Sequence, residues 1–173
     1  MQLLVVNGHP EAGKDTFVDF CLDYLKGRSR KVSTIDFCKE LASDLGWNGE
    51  KTPLDRWFLA NLKRLLTVWK DIPYKETIKE IKAFENVMNF YGYGDKSYVF
   101  VMCREPEEIE RFKKEFNAQT ILIQRDSMKN IEYSNEADRD VDNLTYDYII
   151  RNDGDLELLQ NKAKVFVDIL ENL

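Results

Sequence analysis

The sequence has little histidine and little cysteine, and this scarcity excludes several kinds of site. His9 is the only histidine among 173 residues, so mechanisms that need two histidines are excluded and a Ser-His-Asp triad would have to use His9. The three cysteines, Cys21, Cys38 and Cys103, are far apart and form no CxxC or Cys/His box. We therefore expect neither a structural zinc site nor a disulfide framework, and the expected location is a reducing, cytoplasmic one.

Long hydrophobic runs and an excess of positive charge are also absent. No run reaches the roughly 18 apolar residues of a membrane span, so we expect no contact with a membrane. The N-terminal apolar run has no basic segment before it and soon reaches Asn7 and Gly8, which argues against a secretion signal. The net charge of −6, from 25 Lys and Arg against 31 Asp and Glu, disfavours binding to polymeric nucleic acid but allows a small basic pocket for a nucleotide.

Apolar runs and helical patterns alternate along the chain, with no repeat, low-complexity stretch or Gly/Ser linker between them. Hydrophobic residues make up 43% of the chain, enough for the core of one domain. Five short runs predict strands, at Leu3–Val6, Val32–Phe37, Tyr98–Met102, Thr120–Ile123 and Tyr146–Ile150. Because helical patterns separate these runs, we expect a mainly parallel sheet with helices on both faces, which is the α/β class.

Two segments between the predicted strands need separate interpretation. A helical stripe opens at Pro53 and ends near Trp69, and we expect Trp57 and Trp69 to lie in the core rather than to act as stacking platforms. Residues 126–144 are polar, charged and weakly periodic. This long segment is either a surface excursion or a lid over a ligand.

The strongest local signal directly follows the first predicted strand. The residues from Gly8 to Lys14 fit the pattern GxxxxGK between a buried strand and an amphipathic helix. Glycines let the backbone approach phosphate oxygens, the loop N–H groups and the helix N-terminus bind the anion, and the lysine adds a mobile charge. The pattern predicts a phosphate-binding loop, against the alternative of a plain turn with a solvated lysine. The expected contacts are Gly8, Ala12, Gly13, Lys14, Asp15 and Thr16.

Asp15 stands where the pattern normally has serine or threonine. Its carboxylate is a good Mg²⁺ ligand, and the Thr16 hydroxyl follows one residue later. The alternative is that Asp15 only complements the dipole at the start of the helix. We expect Asp15 to take part in the metal shell, and we expect no general-base role for His9.

These residues resemble a known family. The sequence GKDT at residues 13–16 is similar to the phosphate loop of bacteriophage deoxynucleoside monophosphate kinases, and animal-type phosphomevalonate kinases carry a similar GKD. Further matches occur in the family's order: Lys39-Glu40-Leu41, Lys51-Thr52-Pro53 with Arg56, Arg104-Glu105-Pro106-Glu107-Glu108, Arg125, Ser134-Asn135-Glu136, and the stretch from Tyr146 to Gly154. The phosphate loop is the specific motif, and the ordered set extends the resemblance over most of the chain.

The resemblance implies a three-layer α/β/α P-loop domain with a five-stranded parallel sheet in the order 2-3-1-4-5. Within this single domain (residues 1–173), the core comprises residues 1–37 and 96–173. An acceptor-side helical insertion covers about residues 38–92, and the lid on the ATP side covers about residues 126–144.

The implied activity is Mg²⁺-dependent transfer of the γ-phosphoryl group of ATP to a nucleoside monophosphate, with a deoxynucleotide favoured. Two alternatives stay open: a kinase for another phosphorylated acceptor such as phosphomevalonate, and a catalytically weakened ATP-binding module. Met102 supports the second alternative, because the family has an aspartate at this position. Asp15 or Asp36 could supply the carboxylate instead. The oligomeric state is open, with a homodimer as one option.

Phosphoryl transfer needs cations at the donor phosphates, the moving group and the acceptor phosphate. We assign Arg104 to the acceptor phosphate, with Arg56 as a second clamp on it. Arg125 begins the long segment and is assigned to the ATP base or phosphates, and Arg139 is assigned to the transferring group. Together with Lys14, Arg104 and Arg139 form the expected catalytic set, and each arginine could instead be a solvated surface residue.

Three polar residues complete the candidate set. Asp36 and Lys39 follow the second predicted strand and are candidates for substrate binding. Asn152 follows the last strand at the edge where such sheets bind ligands, and is a candidate for contact with ATP. Its alternative role is in a turn that caps the final helix.

Overall fold

A parallel sheet forms the centre of the molecule. The structure is a computed structural model that describes residues 1–126 and 141–172. The strands are β1 (Gln2–Asn7), β2 (Ser29–Ser33), β3 (Tyr98–Met102), β4 (Gln119–Gln124) and β5 (Tyr148–Arg151). Their order is β2-β3-β1-β4-β5, and every neighbouring pair is parallel. The predicted strand order is therefore confirmed.

Helices cover both faces of the sheet. They are α1 (Lys14–Leu25), α2 (Asp36–Asp44), α3 (Pro53–Lys70), α4 (Ile72–Phe90), α5 (Pro106–Phe116) and α6 (Leu156–Glu171). One core cluster joins the sheet to α1 and α6, and a second joins its other face to α4 and α5. This arrangement is the predicted three-layer α/β/α architecture. None of the helices in the described part of the chain is both long and apolar enough to cross a membrane.

The central strand β1 shows why the strands of this sheet appear as apolar runs in the sequence. Leu4 and Val6 pack into the cluster under α1 and α6, while Leu3 and Val5 pack into the cluster under α4 and α5. Since both faces of a parallel strand are covered, successive side chains are all apolar. The strand ends at Asn7, and the loop that follows it leaves the sheet at its carboxyl edge.

The second strand lies earlier in the chain than the sequence predicts. We expected it to run from residue 32 to residue 37, but β2 spans Ser29–Ser33 and α2 begins at Asp36. At the end of the strand, the Asp36 carboxylate accepts a hydrogen bond of 2.8 Å from the Ser33 N–H. This contact turns the chain into the helix before the apolar alternation ends.

Helix α3 buries a different face from the one we expected. Trp57 and Trp69 are 63% and 66% exposed, so their assignment to the core was wrong. The residues that α3 buries are Leu59 and Lys63. A capping box of Thr52 and Asp55, with Pro53 in the first turn, begins this helix.

Candidate functional site

Two glycines shape the loop between β1 and α1. Gly8 has φ +147, and a Cβ atom there would lie 2.3 Å from the carbonyl oxygen of Ile123. Gly13 has φ +91, and a Cβ atom there would lie 2.4 Å from Nδ2 of Asn152. Both φ values belong to the region that favours glycine. The backbone of the loop therefore packs closely against the ends of β4 and β5. This packing requires glycine at the two positions that the motif specifies.

The Lys14 ammonium lies inside this loop. Lys14 begins α1 and is buried, and its Nζ donates to the carbonyl oxygens of Gly8 and His9, at 2.6 Å each. These contacts hold the ammonium inside the loop. Its positive charge lies beside the partial positive charge at the N-terminus of α1, and the two together suit an anion.

Asn152 supports the far side of the loop. Its side-chain amide donates to the carbonyl oxygen of Ala12 at 2.9 Å, and its backbone N–H donates to that of Gln124 at 2.7 Å. The side chain is buried. Asn152 therefore joins the phosphate loop to the carboxyl ends of β4 and β5. The cap of α6 is instead Asp155, which accepts from the Leu158 N–H.

Asp15 lies on the outer side of the first turn of α1. Its side chain is 76% exposed and lies 3.4 Å from the Lys31 ammonium on β2, which also pairs with Asp19 at 2.6 Å. Burial acts to lower the pKa of Lys31, but Asp19 and Asp15 outweigh it and raise that pKa. Thr16, the next residue, is half-buried. A carboxylate and a hydroxyl thus lie directly beside Lys14 at the start of the helix.

The strand register brings Arg104 to the level of the loop. Val6 pairs with Met102, and the N–H of Cys103 donates to the carbonyl oxygen of Val6 at 3.2 Å. Arg104 follows directly and is half-buried. It therefore lies at the carboxyl edge of the sheet beside Gly8, as we expected for a residue of the site.

Arg125 lies at the same edge, on the other side of the loop. Asn7 pairs with Leu122, and β4 ends at Gln124. Arg125 is the next residue and is half-buried. Arg56 is exposed in the first turn of α3, where its Nε donates to the carbonyl oxygen of Lys51 at 3.1 Å. Arg139 lies outside the described residues.

Asp36 and Lys39 occupy the first turn of α2, directly after β2. The Lys39 ammonium lies 3.1 Å from the Asp36 carboxylate, and both side chains are partly exposed. The amide of Thr34, two residues before Asp36, donates to the carbonyl oxygen of Met102 at 3.3 Å. Both candidates thus lie at the carboxyl edge of the sheet.

An ionic cluster beside Arg104 was not predicted: in it Lys63 and Glu108 are buried and Glu105 is half-buried. The Lys63 ammonium on α3 lies 2.7 Å from Glu105 Oε2 and 2.8 Å from Glu108 Oε2. It also donates to the Thr34 hydroxyl at 2.8 Å. The thiol of Cys103 lies 3.4 Å from the Glu108 carboxylate. Cys103, Glu105 and Glu108 bring donor atoms of a metal-binding kind within 4.8 Å of one another, but the Lys63 ammonium already pairs with both carboxylates and compensates one of their two charges.

The groups of this cluster shift one another's pKa in different directions. Burial acts to lower the pKa of Lys63, but Glu105 and Glu108 outweigh it and raise that pKa. Burial acts to raise the pKa of Glu105, but the Lys63 ammonium outweighs it and the pKa lies below its ordinary value. For Glu108, burial outweighs the attraction of Lys63, and with the charge of Glu105 it raises the pKa. Burial raises the pKa of the Cys103 thiol far above its ordinary value, so the thiol stays protonated.

Glu108 predicts a pH dependence of stability. Because its folded pKa lies above the unfolded value, its contribution to stability is complete below the unfolded pKa and is lost as pH rises through the folded pKa. Glu108→Gln has no such loss. We expect the free energy of unfolding of Glu108→Gln, minus that of the wild type, to increase between about pH 4 and pH 8. Urea unfolding across this range measures it, with the exposed Glu107→Gln as control, and a flat difference would contradict the prediction.

Comparison with known proteins supports the fold. No protein-family model and no curated protein matches the sequence. A candidate kinase from Chloroflexus aurantiacus matches with a TM-score of 0.50 and 11% identity over 96% of each chain. An APS kinase from Mycobacterium tuberculosis matches with a TM-score of 0.46 and 12% identity, over 98% of this chain and 96% of that one.

A third solved structure, a shikimate kinase from Bacteroides thetaiotaomicron, matches with a TM-score of 0.44 and 12% identity over 98% of each chain. At such low identity, the likeness to the Chloroflexus protein shows the fold alone. The chain has the α/β/α fold of that structure. In this chain the loop between β1 and α1 lies at the carboxyl edge of the five-stranded parallel sheet.

Proposed function

We propose that this protein is a kinase that transfers the γ-phosphoryl group of ATP to a small acceptor that already carries a phosphate, with a deoxynucleoside monophosphate as the favoured acceptor. The observation that carries the proposal is the Gly8–Lys14 loop, in which two glycines and a buried lysine lie at the N-terminus of α1, an arrangement that suits an anion. The products are the diphosphate of the acceptor and ADP.

The residues of the loop fit the phosphates of ATP. A Cβ atom at Gly8 or Gly13 would strike Ile123 or Asn152, so the loop is a tight backbone cradle of the kind that approaches phosphate oxygens. Lys14 would neutralise charge that develops between the β- and γ-phosphates during transfer. Arg125, at the end of β4, is the candidate for contact with the base or the phosphates.

Asp15 and Thr16 are the residues that would hold Mg²⁺. Mg²⁺ prefers oxygen ligands and keeps several waters, so one exposed carboxylate with a neighbouring hydroxyl suits it. When bound, the ion supplies positive charge that offsets the charge of the β- and γ-phosphates. Asp15 is accessible for this role, because its side chain is 76% exposed and pairs with Lys31 at 3.4 Å.

The acceptor side of the proposal rests on positive charge at the same edge. Arg104 is the residue that we assign to the acceptor phosphate, because the register of β3 brings it beside Gly8. Arg56, Asp36 and Lys39 are further candidates for substrate binding, and α2 to α4 would form the acceptor-side insertion. Arg139 and the lid at residues 126–144 keep the roles that the resemblance implies, as do the cytoplasmic location and a homodimer.

The test is an assay of ADP release with ATP, Mg²⁺ and a panel of acceptors. The panel contains the four deoxynucleoside monophosphates, their ribose forms and phosphomevalonate. Turnover with one or more deoxynucleotides supports the proposal. Turnover with phosphomevalonate alone would contradict the deoxynucleotide acceptor and identify phosphomevalonate as the acceptor instead. ATP binding without turnover on any acceptor would favour an ATP-binding module, the candidate that Met102 suggests, and would contradict kinase activity.

Arg104→Ala should affect the KM for the acceptor and not the KM for ATP. We expect the KM for the acceptor to rise by about 10- to 100-fold, because a charge-assisted contact to phosphate contributes roughly 1.5–3 kcal/mol. The KM for ATP should change by less than about 2-fold. The control is Arg30→Ala on the outer strand β2, where Arg30 pairs with Glu80 at 3.5 Å. An unchanged acceptor KM and kcat in Arg104→Ala would reject the assignment.

A further inference from the structure

Lys63 joins three segments that carry the acceptor-side candidates. It projects from α3, the helix that begins with Arg56 in its first turn. It binds Thr34, which lies just before Asp36 and Lys39. It also binds Glu105, which directly follows Arg104.

The hydrogen bonds of Lys63 are saturated by these contacts. An ammonium has three N–H donors, and Lys63 has three acceptors at 2.7–2.8 Å: Thr34 Oγ1, Glu105 Oε2 and Glu108 Oε2. Glu108 is further held by a hydrogen bond from Thr34, so the end of β2 and the start of α5 also contact each other. A lysine with every donor used has one orientation, and it fixes α3 against two strand ends.

The same contacts hold the backbone on both sides of Arg104. Cys103, the preceding residue, donates its N–H to β1 and its thiol lies 3.4 Å from Glu108. Glu105, the following residue, pairs with Lys63. Arg104 therefore extends from a backbone segment whose two neighbours both belong to the cluster. Lys63 can therefore affect the backbone that carries Arg104, although Lys63 itself is buried and does not need to touch a ligand.

The charge of Lys63 also matters for an anionic ligand. Glu105 and Glu108 place two carboxylates directly after Arg104, where an acceptor phosphate would bind. The Lys63 ammonium compensates one of these charges at less than 3 Å. Without it, both carboxylates would repel a phosphate bound nearby.

We propose that Lys63 is a positioning residue for the acceptor site: it anchors α3 to the ends of β2 and β3 and holds in place the segment that carries Arg104, the candidate for the acceptor phosphate. This inference rests on the proposed kinase function for its substrate and on the contacts of Lys63 for its mechanism. It differs from a purely structural role, because it assigns the effect to the acceptor and not to ATP.

The test compares Lys63→Met and Lys63→Arg with the control Lys70→Met, an exposed lysine at the end of the same helix. For Lys63→Met we expect the acceptor KM to rise at least 10-fold while the KM for ATP stays within 2-fold. Lys63→Arg, which keeps the charge, should recover part of the acceptor KM. An equal rise of both KM values, or no change in either, would overturn the proposal. If Lys63→Met does not fold, the double variant Lys63→Met/Glu108→Gln, which removes the unpaired buried acid, replaces it in the same measurements.

A second measurement needs no turnover. Amide hydrogen exchange should become at least 10-fold faster in α3 of Lys63→Met, with α1 and α6 unchanged, because only α3 loses its anchor. Unchanged protection of α3 would overturn the anchoring role. Absence of turnover in the wild type would contradict the proposed function alone, and the exchange result would still decide whether Lys63 anchors the helix.

Discussion

Lys14→Met should lower kcat for phosphoryl transfer from ATP by about 10²- to 10³-fold, the usual cost of removing one preorganised donor from the transition state. The structure supplies the physical reason. The ammonium lies inside the loop, where it donates to the carbonyl oxygens of Gly8 and His9 at 2.6 Å. Lys14 is buried, and a charge in a buried place acts strongly on a bound anion. Methionine fills similar space and removes the charge.

Lys14→Arg should not restore the activity. The guanidinium is a planar fork that cannot occupy the place of a compact ammonium between the Gly8 and His9 carbonyls. We expect Lys14→Arg to remain at least about 10-fold below the wild type in kcat. The measurement is the rate of ADP release at saturating ATP and acceptor.

The control for both variants is Lys26→Met, at the other end of α1. Lys26 is exposed, and the substitution is chemically the same. Thermal unfolding checks that each variant folds, because Lys14→Met also removes two hydrogen bonds to carbonyl groups, at about 1 kcal/mol each. Activity of Lys14→Met within about 3-fold of the wild type would contradict the role of the loop.

The strands of the sheet were predictable because each of them appears in the sequence as a short apolar run. The run from Tyr98 to Met102 is predicted and observed with the same ends, since a strand covered on both faces has apolar residues at every position. The phosphate loop is predictable for a similar reason, because its glycines and lysine are close in sequence. The strand order followed from the resemblance rather than from any pattern of apolar residues.

The face that α3 buries was not predictable from its sequence. Leu54, Leu65 and Trp69 have helical spacing and predict a buried stripe, but they are 71%, 62% and 66% exposed. One of the residues that α3 buries is Lys63, and a lysine in a helix is ordinarily on the surface. The acidic partners of Lys63 are distant in sequence: Glu108 lies 45 positions after it.

The acidic partners give only a weak signal of their own. Glu105 and Glu108 lie three positions apart at the start of α5, where acidic residues are common because they complement the helix dipole. Asn152 shows the same limit. Its position at the edge of the sheet was predicted, but its hydrogen bond to Ala12 spans 140 positions and depends on the completed fold.

Gly8→Ala should lower the free energy of unfolding by about 3 kcal/mol, since it combines a left-handed backbone with a steric clash. The Cβ atom would lie 2.3 Å from the carbonyl oxygen of Ile123. That oxygen belongs to the backbone of β4, and Ile123 is fully buried and pairs with Ile150 of β5. The Ile123 carbonyl group cannot move without moving β4. The loop must therefore shift to relieve the clash, and we expect the variant to lose ATP binding.

Gly27→Ala is the matched control, because it isolates the backbone from the clash. Gly27 has φ +83, and a Cβ atom there would meet nothing within 4 Å. We expect this variant to lose about 1 kcal/mol, the cost of a non-glycine residue in the left-handed region. Urea unfolding followed by circular dichroism gives both values. The difference of about 2 kcal/mol measures the contact between the loop and β4, and equal losses in the two variants would show that the loop does not pack against Ile123.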